Sequence, residues 1–247
     1  MIITSLKENR EIFTRPYSLP QSFNLDSYIR LFKISNYLIY FRNSIIITLT
    51  SLLIILALSS LISYVLAKYR FTGSRFLYFY FIAGLIIPIK LGTIGIIRIM
   101  LGLHIFDTLA ALIIVYTAMG IPFGVFILTD FIRLIPEELS NSARIDGCSE
   151  PIIFFRIILP LIRPALAAVA IINFIPIWND FWFPLLLIRT DNVKTIPLAT
   201  ALLYGQYETN FGLIFSVLTA ASLPVIIFYL IMSRQFIKGL SSGALKG

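Results

Sequence analysis

Three stretches of this 247-residue chain, 43–67, 108–129 and 209–233, contain no charged residue over a length that would cross a lipid bilayer. An α-helix needs about 20 apolar residues to span the hydrocarbon core. Two further stretches qualify with one charge each: 76–97 contains only Lys90, and 164–188 contains only Asp180. Lys90 lies toward one end of its stretch, where a long side chain can reach the interface. None of the five shows the strict alternation of a barrel strand, and in lipid a helix satisfies its own backbone hydrogen bonds. The chain therefore reads as all-α, a polytopic transmembrane helix bundle. Composition agrees. Only 13% of residues are charged and 58% are hydrophobic, whereas soluble domains carry about 25% charge. That leaves too little polar surface to cover a globule in water.

The net charge of +8 does not point to nucleic acid, because the basic residues fall between apolar stretches and form no run. They read as loop charges of a membrane protein. Cys148 is the only cysteine and His104 the only histidine. An intrachain disulfide and a Cys-rich metal site are thereby excluded, and no His-based zinc site or Ser–His dyad is left away from His104.

Loop charges set the orientation. Lys68, Arg70 and Arg75 fill one short loop; Arg133, Arg144, Arg156 and Arg163 fill 133–163; Arg234, Lys238 and Lys246 fill the tail 234–247. The positive-inside bias places these three regions, including the C-terminus, in the cytoplasm. The segment 1–42 then lies outside despite Lys7, Arg10, Arg15, Arg30, Lys33 and Arg42. The simplest repair is a further span upstream, with MIITSL as its outer end and a truncated or misassigned start; the alternative is an N-tail translocated without a leader. Within 1–42, Leu25, Tyr28, Ile29 and Phe32 share one helix face. A short helix lying on the membrane and one packed on the bundle top both fit.

Residues 135–166, IPEELSNSARIDGCSEPIIFFRIILPLIRPAL, are the most informative loop. Pro136 suits a first helical position, and Glu137 and Glu138 suit the positive end of the helix dipole. Gly147 is a natural stop, Ser149 a cap for a second helix, and Pro160 and Pro164 are breakers before the next span. The expected product is a short helix, a tight turn and a second short helix. Ile152, Ile153, Phe154, Phe155, Ile157 and Ile158 make that second helix so apolar that it must pack on the bundle or on a partner.

Gly147, nine residues, Ile157, one residue, Leu159 and Pro160 resemble the G-x9-I-x-L-P half of the EAA loop of permease subunits in ATP-binding-cassette importers, and ARIDG at 143–147 resembles the loop's usual form. The motif's Glu falls on Asn141 and its first Ala on Ser142; the second is present as Ala143. Losing that carboxylate removes a charge-assisted hydrogen bond to a partner, although Asn141 still hydrogen-bonds. Other stretches resemble the maltose-type (MalG-like) binding-protein-dependent permeases of the sugar-importer branch: 43–53 with 63–75, 121–139, WNDFWFPLLLI at 178–188, KTIPLATALL at 194–203, and FIKGLSSGALKG at 236–247.

The resemblance implies a permease domain over 43–233 with a coupling loop over 133–163, and six spans where five are visible. It implies a complex with a second, different permease subunit, two ATPase subunits and an extracytoplasmic solute-binding protein, in the plasma (inner) membrane. No cofactor is bound by this chain; ATP and magnesium are used by the ATPase partners. The coupling set would be Asn141, Ser142, Ala143, Asp146, Gly147, Ile157, Leu159 and Pro160. The tail, with Gly239, Gly243, Lys246 and Gly247, would reach the ATPase interface, or would be a frayed terminus.

Asp180 is the one acid inside a predicted span, about 6 Å past its midpoint toward the outside. Asn179, Trp178 and Trp182 flank it. Acid, amide and indole are groups that bind sugars, so these four are candidates for the substrate pathway. The alternative is that Asp180 and Asn179 bond to a neighbouring helix and hold the pore's shape. The external loop 189–210, with Tyr204, Gln206, Tyr207 and Glu208, either touches the binding protein or its sugar or is simply solvated. Three rivals remain. An importer of the same architecture for peptides or phosphate lacks the support of the WND stretch and the GALKG tail. An intramembrane enzyme would need a paired nucleophile and base, and the chain has no G-x4-G-K-[ST] phosphate loop. A lone ion-coupled carrier would need more intramembrane charge than one Asp.

Overall fold

The computed structural model describes residues 1–247 except 22, 35, 207–209 and 245–247. The described helices are α1 (Ile2–Ser5), α2 (Asn9–Thr14), α3 (Asp26–Ile34), α4 (Tyr37–Lys68), α5 (Ser74–Ile86), α6 (Thr93–Gly102), α7 (Leu109–Arg133), α8 (Glu137–Ile145), α9 (Glu150–Ile153), α10 (Leu159–Leu161), α11 (Arg163–Asn179), α12 (Trp182–Leu187), α13 (Ile196–Gln206) and α14 (Phe211–Ala244). No strand occurs among the described residues. The Ile- and Thr-rich start of α4 has the composition of a strand in water. In lipid an unpaired strand edge is too costly, and the same residues take a helix.

The centre of the bundle is the packing of α4 on α7. Along α4, Ile47, Ser51, Ile55, Ser59 and Ser63 recur every fourth residue and are all buried. They face Gly120 and Gly124 of α7, a small-x3-small pair that lets two helix backbones approach closely. A methyl group added at Gly124 would sit 2.5 Å from Ser59 Oγ and 2.6 Å from its Cβ. Ser63 Oγ donates to the Val125 carbonyl at 3.3 Å across the same seam. On the other side α11 meets α14 through stacked rings: Phe174 lies 3.9 Å from Phe228 and 5.9 Å from Trp178.

Three helices, α4, α7 and the 211–232 part of α14, are long and apolar enough to cross a membrane, and up to five crossings are reached if bent pairs count as one. The stretch 76–97 is not one straight rod. α5 ends at Ile86, and α5 and the Ile89–Gly102 segment meet at 86°. Ile87 precedes Pro88 and is extended at φ −76°, ψ 120°, the region to which a following proline confines a residue. Nor is 164–188 continuous: α11 ends at Asn179 and α12 restarts at Trp182. The last helix runs through the expected tail to Ala244, so Gly239 and Gly243 are helical, while Lys246 and Gly247 lie outside the described residues.

The N-terminal segment packs on the start of α14 and not free in solvent. Lys7 is buried, its Nζ donating to the carbonyls of Arg15 at 2.7 Å and Pro16 at 3.2 Å. The backbone N–H of Gly212 donates to Asn9 Oδ1 at 3.1 Å. In α3 the residue turned to the bundle is Leu31, whereas Leu25, Ile29 and Phe32 remain exposed. The packed position and an apolar outer face thus occur together.

Candidate functional site

Residues 135–162 form a compact elbow. α8 closes with two hydrogen bonds back into its last turn: Cys148 N–H to the Ala143 carbonyl at 2.9 Å and Gly147 N–H to the Arg144 carbonyl at 3.0 Å. This pairing requires a left-handed residue after the helix, and Gly147 supplies it at φ 80°. After the turn the chain re-enters helix at Glu150 with Pro151 in the first turn. The side chain of Ser149 makes no cap hydrogen bond, contrary to its sequence reading. Pro160 does not break the chain either. The helix passes through a π-helical turn, Phe154–Ile158, and continues to Leu161. The bend comes at Ile162, and the Glu150–Leu161 and Arg163–Asn179 segments meet at 72°.

The expected coupling residues divide by exposure. Asn141, Ser142, Asp146 and Gly147 face solvent, while Ala143 is buried. Ile157 and Leu159 are half-buried against the main core, and Pro160 is half-buried beside them. The spaced half of the motif therefore seats the elbow on the bundle, together with the fully buried Ile153, Phe154 and Ile158. The two helices of the elbow also keep apolar groups in the open: Leu139 and Ile145, at 87% exposure, on the first, and Ile152 and Phe155, at 60%, on the second stretch. Exposed apolar clusters of this kind mark partner surfaces.

A polar chain fixes the elbow's shape. Arg144 Nε donates to Glu150 Oε1 at 2.7 Å and Arg144 Nη1 to Asn141 Oδ1 at 2.8 Å. Tyr64 Oη of α4 donates to Glu150 Oε2 at 2.6 Å. Lys68 Nζ donates to the Ile135 carbonyl at 2.7 Å. The hydrogen bond from Arg144, followed by that from Tyr64, lowers the Glu150 carboxyl to a pKa of about 2. Tyr64 escapes sequence reading because nothing local to position 64 signals a partner 86 residues away.

The four pathway candidates do not converge. Trp178 is buried against Phe174 and Phe41, and its Nε1–H donates to the Ala221 carbonyl of α14 at 3.0 Å. Asn179 is exposed and donates back to the Ile175 carbonyl at 3.0 Å. Trp182 turns the other way, its Nε1–H donating to Thr93 Oγ1 at 3.2 Å with Lys90 Nζ 5.7 Å from its ring. Asp180 is not in mid-helix. It sits in the break and accepts from the backbone N–H groups of Trp182 at 3.3 Å and Phe183 at 3.0 Å, and from Tyr116 Oη at 2.9 Å. Trp178 and Asn179, with Phe181, Ile196, Pro197 and Thr200, border a groove of about 490 Å³ between α11, α13 and α14. Tyr204 and Gln206 belong to α13, and Tyr207 and Glu208 lie outside the described residues.

The segment next to Asp180 is pinned from α4. Tyr40 Oη and Asn36 Nδ2 donate to Asp191, Asn43 Nδ2 donates to the Asn192 and Lys194 carbonyls at 2.9 and 3.0 Å, and Ser44 Oγ accepts from Ile196 N–H at 2.9 Å. From the facing loop, Asp107 accepts from the N–H groups of Arg189 and Thr190 at 2.7 and 3.0 Å.

A family model described as binding-protein-dependent transport system inner membrane component matches residues 59–242. The chain is 31% identical to the diacetylchitobiose uptake system permease protein NgcG of Streptomyces coelicolor, over 100% of this chain and 82% of that protein. It is 32% identical to the arabinooligosaccharides transport system permease protein AraQ of Halalkalibacterium halodurans, over 100% and 89%. To the probable starch degradation products transport system permease protein AmyC of Thermoanaerobacterium thermosulfurigenes it is 34% identical, over 100% and 89%. Its fold matches a chain of a bacterial ABC transporter involved in alginate import with a TM-score of 0.80 at 21% identity, covering 95% of this chain and 88% of that one. The chain belongs to the family of binding-protein-dependent transport system inner membrane components and is a multi-pass permease subunit, not an enzyme.

Proposed function

We propose that this permease serves an ATP-driven importer of oligosaccharides or related carbohydrates. The observation that carries the reading is its similarity, along its whole length, to permeases named for diacetylchitobiose, arabinooligosaccharide and starch-degradation-product transport. In this reading the chain pairs with a second, different permease subunit, two ATPase subunits supply ATP and magnesium chemistry, and a solute-binding protein delivers the sugar outside. The elbow and the C-terminus lie in the cytoplasm, a side supported by the basic residues of 68–75, 133–163 and 234–247.

Asn141, Ser142, Asp146 and Gly147 form the face that docks on an ATPase subunit, with Ile145 and Phe155 as its apolar centre. Ala143, Ile157, Leu159 and Pro160 hold that face on the bundle. Gly239 and Gly243, on the last helix, approach the ATPase interface. Nucleotide shifts the pore between its outward and inward forms only if it binds one of them more tightly. Among the pathway candidates, Asn179 is exposed at the groove beside α13 and α14 and would meet sugar there, while Trp178, buried, backs the same groove. Asp180 shapes the path by capping the break.

The test is uptake into vesicles holding the chain with its partner subunits and binding protein. ATP-dependent entry of labelled oligosaccharide, with none of labelled peptide, is expected. Peptide entry without sugar entry would overturn the substrate class, and ATP-independent entry would overturn the motor.

A further inference from the structure

The elbow is tied to the bundle at more places than its two covalent ends. Its first helix follows α7 and its last bends into α11, but its polar chain ends on α4. Glu150 is shared: Oε1 accepts from Arg144 of α8, and Oε2 accepts from Tyr64 at 2.6 Å. The Tyr64 ring is buried, 5.3 Å from Phe154 of the elbow's second helix and 5.9 Å from Tyr69. Lys68, one turn on, holds the Ile135 carbonyl at the elbow's entrance.

α4 is an unbroken helix of 32 residues, a rod about 48 Å long at 1.5 Å per residue. No proline or glycine interrupts it, and although Ser59 and Ser60 hydrogen-bond back to the Ile55 and Ala57 carbonyls, the helix continues unbroken past them. Its far end holds the 191–196 segment through Tyr40, Asn43 and Ser44. That segment adjoins the Asp180 break: Thr195 and Asp180 line one small polar void together with Ser44, Thr48 and Tyr116. One rigid element thus has one end in the elbow and the other in the wall beside the break.

We propose that Tyr64 is a positioning residue for transport: through its hydrogen bond to Glu150 it passes displacement of the elbow into α4, and α4 delivers it to the 191–196 segment at the opposite end. The inference rests on the reading of the elbow as the ATPase docking element. Tyr64 touches neither nucleotide nor sugar. It acts through Glu150 at one end of the rod, and Asn43 and Ser44 act at the other.

Tyr64→Phe removes the hydroxyl and keeps the ring against Phe154. In vesicles holding the full importer, sugar moved per ATP hydrolysed should fall about tenfold, the weight of one hydrogen bond to an ionised group. Glu150→Ala should fall at least as far, since it loses the Arg144 contact as well, and the double variant no further than Glu150→Ala alone, because that substitution already removes the Tyr64 bond. A second readout uses Asn192→Cys in a Cys148→Ser background. ATP should change the rate at which a water-soluble maleimide labels position 192, and Tyr64→Phe should abolish that change. A role confined to stability would lower the amount of assembled importer while leaving the sugar-to-ATP ratio and the ATP-dependent labelling intact, and that result overturns the inference. If the unaltered importer shows no ATP-driven uptake, the reading of the elbow itself fails, which is a separate outcome.

Discussion

Tyr116 of α7 donates a 2.9 Å hydrogen bond to Asp180 Oδ2 across the break between α11 and α12. Tyr116 is 2% exposed, so its hydroxyl has no water to turn to when that acceptor is lost. Asp180→Ala should therefore destabilise the subunit by about 1–3 kcal/mol, the cost of stranding a buried donor and two backbone N–H groups. Tyr116→Phe combined with Asp180→Ala should cost little beyond Asp180→Ala alone. Equilibrium unfolding in mixed micelles measures both, and fully additive losses would show that the two residues act separately.

Gly124→Ala should cost about 1–3 kcal/mol by overpacking. Its new carbon would meet Ser59 Cβ at 2.6 Å, and neither backbone can retreat without opening the α4–α7 seam. Adding Ser59→Gly should restore part of the loss. The readout is the unfolding midpoint in detergent of the two single variants and the pair.

Gly147→Asp should abolish ATP-coupled uptake while the subunit still inserts. A side chain at φ 80° costs about 1–2 kcal/mol in the left-handed region, and it re-aims the turn that carries Asn141 and Asp146. Gly147→Asn should be milder, since Asn tolerates that conformation. Membrane content by immunoblot and uptake by labelled sugar separate the effects, and normal transport by the Asp variant would remove the turn from the mechanism.

Acid should loosen the elbow. Glu150 has its folded pKa lowered to about 2 from an ordinary 4.5, first by the Arg144 hydrogen bond and then by those of Tyr64 and Tyr69. A depressed carboxyl contributes its full stabilisation above the unfolded value and loses it as pH falls toward the folded one. The stability gap between the unaltered chain and Glu150→Gln should hold steady above pH 4.5 and shrink between there and pH 2. A gap independent of pH across that window would show that Glu150 is not held by these partners.

The long charge-free runs that became α4, α7 and α14 were readable because hydropathy counts residues along the chain, and lipid leaves a helix as the one arrangement for them. Direction was not readable from the same count. The break after Ile86 was signalled by Pro88, which pushes Ile87 into extended backbone. Composition alone ran the span through it because the flanking residues are equally apolar. Asp180 was found as the odd acid, and a bond to a neighbouring helix was one of its two readings, which the Tyr116 hydroxyl of α7 supplies; its two backbone N–H partners were not readable, because they are freed only once the helix has stopped. Trp178 lay beside Asp180 in sequence. Its spacing of four from Phe174 placed it on the face that stacks against α14. The Gly120-x3-Gly124 spacing was present throughout and is the signal that would have paired α7 with α4. The elbow's turn was legible to the residue, at Gly147, whereas its anchorage to Tyr64 depends on two segments far apart in the chain.

The corner at Ile87–Pro88 has a mechanical meaning. With 86° between its two arms, a thrust directed down α5 has almost no component along α6 and arrives there as a sidewise swing. Residues 74–102 therefore do not act as one axial piston. A push along α5 reaches Thr93 and Lys90, and Trp182 against them, as a displacement across the axis of α6.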